Sequence, residues 1–278
     1  MTTLGTAFAK TQDTVLDNAR SAANQLYRER IASRDDPSTL PWLNRLLKHG
    51  ILELDHIENP MYLTLLDGKM SSRALGSFLC TYYWGSSQGF NKKVLPAALK
   101  AHTNESWRAY IKSIIREENT PSCHSTMLSN FIQSLGFDVG ERPLTAQRFV
   151  DKLITGYSET LGFALGYALG VETEADFQIA VIHRALIEQF SNIIICDEFF
   201  TIHMDESGEE AHAKATCESI EKLIVEGTID ASQVKDGFNS AIADTREFVC
   251  DIYTEIESSL SYPQPSHSYK TKEPDYAC

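Results

Sequence analysis

Residues 145–172 read TAQRFVDKLITGYSETLGFALGYALGVE. Leu161, Leu165 and Leu169 recur at helical spacing, with none of the two-residue alternation of a half-buried strand, so the stretch predicts a helix opened by Thr145. Gly162, Gly166 and Gly170, four apart, add a smooth stripe on which another helix or a ligand can approach closely. Directly after it, Thr173 and Asp176 have the spacing of a capping box, predicting a fresh helix start before DFQIAVIHRALIEQF.

The same helical pattern extends in both directions. Towards the N-terminus, Asn104 caps ESWRAYIKSIIREEN, in which Trp107, Ile111, Ile114, Ile115 and Glu118 share a face. Thr120-Pro121 reads as the cap and first residue of the next helix, with His124, Leu128 and Phe131 aligned and Gly136 as its stop. A helix is expected from Ser72 to about His102, bent near Gly85 or Pro96. Further helices are expected from residue 6 to 32 and around PSTLPWLNRLLKHG, ending at Gly50.

Towards the C-terminus, helices are expected from about 211 to 226 and from Ala231 to about Leu260. The tail 261–278, SYPQPSHSYKTKEPDYAC with Ser261 at its head, has no periodicity and is expected to be loosely held. There is no strand pattern, repeat or central linker. The expectation is an all-α bundle of about seven or eight helices forming a single domain over 1–260.

Composition is compatible with that. A chain of 278 residues, 42% of them hydrophobic, can bury a large core. The net charge of −13 argues against nucleic acid or an anionic membrane as partner, because both reward clustered Lys and Arg. The opening MTTLGTAFAKTQD lacks the features of a signal peptide and no apolar run is long enough to span a bilayer, so a soluble, cytoplasmic protein is expected. Six cysteines, Cys80, Cys123, Cys196, Cys217, Cys250 and Cys278, include no C-x-x-C pair. They signal neither a disulfide framework nor a structural zinc site.

Several polar residues fall where apolar ones are expected. Glu118, beside Glu117, ends the Ile111–Ile114–Ile115 stripe. His124 begins the next one, and Glu172 continues Leu161, Leu165 and Leu169. His203 follows Phe199 and Phe200 in FFTIHMDESGEEAHAKA (199–215), which goes on to Asp205, Glu206, Glu209, Glu210 and His212. An inward carboxylate costs several kcal/mol unless it is paired or metal-bound. Each residue alone reads as a helix-end acid or a hydrogen-bonded core histidine. As a set on several helices, they favour a carboxylate and histidine cage for metal.

The pieces REENTPSCHSTMLSNFIQSLG, FALGYALGVE and FFTIHMDESGEEAHA, in that order, resemble the haem-oxygenase-like di-iron oxidases, relatives of the TenA thiaminases and the PQQ-synthesis oxidase. The similarity covers about residues 70–225. It implies a haem-oxygenase-like bundle binding two Fe(II) ions, with O2 as co-substrate. By resemblance Glu118 (or Glu117), His124, Glu172, His203 and His212 are ligands, and Glu209 stands where the family has an Asp. The family's last His, Asp and His are spaced i, i+4, i+7, whereas His203 and His212 are nine apart. Either the helix unwinds at Ser207-Gly208, or one histidine is no ligand and Asp205, Glu209 and His212 take that spacing, with Glu206 a further candidate. The family commonly has another Glu upstream, and CTYYWGSSQGFNKKV has no acid, so one iron is expected to be labile.

The resemblance implies oxidation of a small amino-acid-like or fatty-acid-like metabolite by N-oxygenation, desaturation or carbon-skeleton cleavage, with an external electron donor and a homodimeric assembly as corresponding expectations. Tyr82, Tyr83, Trp84, Phe90, Phe163 and Tyr167 are candidates for the substrate pocket, with Tyr83, Phe163 and Tyr167 foremost. Two other readings are a thiaminase-like hydrolase, for which Cys196 beside Asp197 is the candidate nucleophile, and a metal-free helical binding protein.

Overall fold

The structure, a computed structural model, describes residues 4–190, 197–205 and 209–261. Among these residues there is no strand, and the chain is an all-α bundle. At its centre runs α9, Leu161–Gln189, buried on almost every side from Gly162 to Leu186. A helix without a polar face needs neighbours all round, and α9 finds them in α8 (Leu144–Ser158), α11 (Glu209–Val225) and above all α12 (Ala231–Ser261).

The glycine stripe makes the last of these contacts. A Cβ on Gly166 would lie 1.9 Å from the Val234 carbonyl oxygen, and one on Gly170 would lie 2.7 Å from Ala241 Cβ. Gly237 of α12 reciprocates, its Cβ position being 2.0 Å from the Phe163 carbonyl oxygen. The stripe therefore receives a helix of the same chain.

The other elements wrap this pair. α1 (Leu4–Tyr27) continues into a π-helical turn, Arg28–Ala32, and is followed by α2 (Pro41–Glu53) and α3 (Pro60–Leu66). Then α4 (Ser72–Tyr82), two π-helical stretches (Tyr83–Gln88 and Phe90–Val94) and α5 (Leu95–Ala101) make one long bent element. The change of winding surrounds Gly85, and Pro96 sits in the first turn of α5, where its missing N–H leaves nothing unsatisfied. α6 (Glu105–Glu117), α7 (His124–Ser134) and α10 (Glu198–Met204) close the bundle.

Four expected boundaries are corrected, the first at Gly50, which does not end α2 but lies within it, the helix running on to Glu53. The 145–172 stretch is two helices, because Glu159 and Thr160 are extended, with ψ of −170° and 149°. No helix starts at Thr173: its hydroxyl donates to the Leu169 carbonyl at 2.7 Å, and Asp176 is occupied by Arg30 and Arg34. Those arginines come from another part of the chain, so the local capping pattern loses to a long-range ion pair. Thr120-Pro121 likewise opens no helix; its peptide bond is cis, the Thr120 hydroxyl donates to the Arg116 carbonyl at 2.8 Å, and α7 begins three residues later with Cys123 as cap. Asn104 does cap α6, accepting from Trp107 N at 3.0 Å, and Gly136 does end α7 with φ of +84°. The tail from 262 onwards lies outside the described residues.

Candidate metal centre

The end of α6 and the start of α7 are locked into a tight reversal. The face carrying Trp107, Ile111 and Ile114 is in the core, and Glu118, four residues after Ile114, follows it inward. The Glu118 carbonyl accepts the His124 backbone N–H at 3.0 Å and the Asn91 side-chain amide at 3.4 Å. Glu118 and His124 are thereby presented side by side, 8% and 5% exposed. α10 brings His203 to the same place, 6% exposed, with its ring centroid 4.7 Å from that of His124.

One donor atom from each of Glu118, His124 and His203 lies within 4.8 Å of the others. That span exceeds twice a metal–ligand bond of about 2.1 Å by only a few tenths of an ångström. Backbone carbonyls fix both rings. His203 Nδ1 is 2.6 Å from the Phe199 carbonyl and His124 Nε2 is 3.1 Å from the Thr120 carbonyl, so those nitrogens carry the protons. The remaining nitrogens, His203 Nε2 and His124 Nδ1, then offer lone pairs, and the latter is 3.7 Å from a Glu118 carboxylate oxygen. Outer hydrogen bonds that set the tautomer in this way are what metal-ligating histidines usually have. The donor set fits a divalent iron-like cation bound by two imidazoles and a carboxylate.

A second group lies beside the first. His212, on α11, has Nε2 2.6 Å from Glu117 Oε2 and Nδ1 3.3 Å from Glu172 Oε2. The Tyr110 hydroxyl donates to the other Glu172 oxygen at 3.4 Å. The hydrogen bond to His212 holds the Glu117 carboxyl below its usual range, against the opposing effect of burial. Glu118, Glu172, His203 and His212 all border one cavity of about 60 Å³. The nine-residue spacing is therefore no obstacle: α10 ends at Met204, α11 begins at Glu209, and the two histidines approach from separate helices.

The remaining candidates fare differently. Asp205 is the exposed C-cap of α10 and is not among the residues that border the cavity. Glu206 lies outside the described residues, as does the side chain of Glu209. Of the aromatic candidates, Tyr82 and Phe90 border the cavity, joined by Phe149 and Phe199. Tyr83, Phe163 and Tyr167 do not. Tyr83 packs edge-on against Trp84. Phe163 and Tyr167 stack on each other at the seam with α12, where the Tyr167 hydroxyl donates to Asp244 at 2.9 Å. The π-helical winding turns Ser86, Ser87 and Phe90 to the cavity in the stretch without acids, and such winding is frequent at functional sites. Cys196 lies outside the described residues, and the Asp197 carboxylate caps α10 through the Phe199 N–H at 2.9 Å.

Two buried polar groups on α9 went unread in the sequence. Glu174, also bordering the cavity, is 3.0 Å from His56 Nε2 and accepts from the Tyr62 hydroxyl at 2.5 Å. Asp176 binds Arg30 at 2.6 Å and Arg34, and Arg30 also donates to the Met204 carbonyl at the end of α10. The signal was three acids, Glu172, Glu174 and Asp176, at alternate positions of a largely apolar run; reading Thr173 and Asp176 as a capping box gave Asp176 a local role and passed over Glu174.

No family model matches the sequence, and no curated protein matches it. The fold does have likenesses among solved structures. One is a crystal structure of a CADD-like protein of unknown function from Nostoc punctiforme at 2.00 Å resolution, with a TM-score of 0.58 and 16% identity over 87% of this chain and 98% of that one. A second crystal structure of the same protein, at 1.35 Å, gives a TM-score of 0.57 and 14% identity over 90% and 99%. At such identities the likeness shows a shared fold. No helix among the described residues is long and apolar enough to cross a membrane.

Proposed function

We propose that this chain is a non-haem iron oxidase that uses O2 to oxidise a small metabolite, by N-oxygenation, desaturation or carbon-skeleton cleavage. The observation that carries the reading is the pair of histidines whose tautomers are set by backbone carbonyls, aimed together with Glu118 at one point. The resemblance of the three sequence pieces to haem-oxygenase-like di-iron oxidases supports it. A cytoplasmic homodimer and an external electron donor are the matching expectations.

Glu118, His124 and His203 would hold one Fe(II) from one side and leave its other side to the cavity. Glu172 and His212 would hold a second, with Glu117 either joining them or orienting the His212 ring from outside. In the latter case only two protein donors remain, which is the reason to expect one labile ion. Iron held there supplies the reduction of O2 next to a C–H bond or an amine. Phe90, Phe149, Phe199 and Leu153 give the cavity apolar walls that exclude water and seat a hydrocarbon portion of the substrate.

Iron analysis and anaerobic Fe(II) titration test the reading. The purified chain should contain fewer than two irons and take up more on titration. His124→Ala should bind the first ion at least about tenfold more weakly while keeping its helical circular dichroism. A wild-type chain that binds no iron, or a His124→Ala chain with full stoichiometry, would refute it.

A further inference from the structure

The cavity contains a carboxylate that the metal cage does not use. Glu174 is 3% exposed, and its Oε1 is held by the Tyr62 hydroxyl at 2.5 Å and His56 Nε2 at 3.0 Å. Gln178, also on the cavity wall, donates to Tyr62 at 3.0 Å and fixes that hydroxyl in turn. Both restraints fall on one oxygen. Among the described residues Oε2 has no hydrogen-bonding partner, and the residue borders the cavity.

A carboxylate this deeply buried costs several kcal/mol unless a positive group meets it. Among the described residues no Lys or Arg borders the cavity. Arg30 and Arg34, which reach α9 two residues further on, are taken by Asp176. His56 is fully buried, with its Nε2 on Oε1 and its Nδ1 without a hydrogen-bond partner, so nothing of this ring reaches Oε2. Glu118 and Glu172 face histidines of the cage, whereas Glu174, among the described carboxylates of the cavity, keeps an oxygen that no basic side chain meets.

We propose that Glu174 selects the substrate, by receiving the protonated amine of a small organic cation whose hydrocarbon part lies along Phe90, Phe149, Phe199 and Leu153. The anchored Oε1 stops the carboxylate from turning away, and Oε2 accepts the ammonium in a charge-assisted hydrogen bond. A substrate ending only in a carboxylate meets repulsion and no cationic side chain, so the site takes amines and rejects fatty acids. This deepens the oxidase reading and rests on it only for what happens to the bound amine.

The test compares n-butylamine, 1-butanol and butyrate at pH 7.5, by calorimetric titration and thermal shift, on the Zn(II)-loaded chain and on the metal-free chain. Butylamine should bind at least tenfold more tightly than butanol, and butyrate should not bind. Glu174→Gln should weaken butylamine at least tenfold, leave butanol within twofold and leave zinc stoichiometry unchanged. Tyr62→Phe keeps the charge but frees the carboxylate, and should retain the amine preference with a loss of about threefold. The inference is overturned if the wild type shows no amine preference or if the preference survives in Glu174→Gln. Should Glu174→Gln not fold, the wild-type ratio and Tyr62→Phe decide. A chain that binds no metal yet keeps a Glu174-dependent preference sinks the oxidase reading and leaves this site standing. A metal-loaded chain without the preference does the reverse.

Discussion

Replacing Gly166 by Ala should loosen the centre of the bundle. The new Cβ would lie 1.9 Å from the Val234 carbonyl oxygen and 2.6 Å from the Val234 carbonyl carbon, in the backbone of a 31-residue helix. Restoring the 3.4 Å of an ordinary contact needs a movement of 3.4 − 1.9 = 1.5 Å, and no side-chain rotation can supply it. Over-packing typically costs about 1–3 kcal/mol, and a clash with backbone belongs at or above the upper end. Helix propensity returns about 1 kcal/mol for Gly→Ala. The net loss is about 2 kcal/mol or more, which lowers Tm by at least about 4–8 °C in a chain of this size. Glu172 lies less than two turns further along α9, 3.3 Å from His212, so the same movement should reduce iron retention. Urea and thermal unfolding followed by circular dichroism measure the first effect, and iron analysis measures the second. Gly136→Ala is the control: it has open space around its Cβ position and φ of +84°, so it carries only the left-handed backbone cost of about 1–2 kcal/mol. A Gly166→Ala chain as stable as wild type would refute the close approach of α9 and α12.

Two further outcomes are expected. Asp176→Asn leaves Arg34, whose side chain is 2% exposed, without its counter-charge, and should cost about 3–5 kcal/mol in urea unfolding; a loss under 1 kcal/mol would mean that the pair is solvated. Stability of the metal-free chain should fall on acidification. Burial lowers the His102 and His183 pKa values, so below about pH 6.5 the unfolded chain binds more protons than the folded one and the folded state loses ground. Glu117 and Glu221, both held below the usual carboxylate range by hydrogen bonds, extend the loss further down as they are protonated. Unfolding midpoints between pH 8 and 4 that stay level would contradict this.

The helical class was legible because it depends on local periodicity, which a single segment carries. So were Glu118, His124, Glu172 and His203 as misplaced polar residues, since a polar group on an apolar stripe is visible wherever the stripe is, whereas His212 came in only through the family resemblance. The glycine stripe announced a close approach, but which element would fill it was settled only by packing, when Gly237 of α12 met Phe163. The false helix start at Thr173 had a similar origin: its motif is local, whereas Arg30 and Arg34, which claim Asp176, lie more than 140 residues away. The aromatic candidates divided for a related reason, Tyr82 and Phe90 reaching the cavity and Tyr83, Phe163 and Tyr167 lying elsewhere. Tyr82 and Tyr83 are neighbours in sequence, and only the winding of the helix and its packing turn the first to the cavity and the second to Trp84. Residue type and spacing thus determined the helical class and pointed to Glu118, His124 and His203, which the fold brings together. The partner of each buried charge, and with it Glu174, Tyr62 and His56 as a unit, was decided by long-range contacts that exist only after the chain has folded.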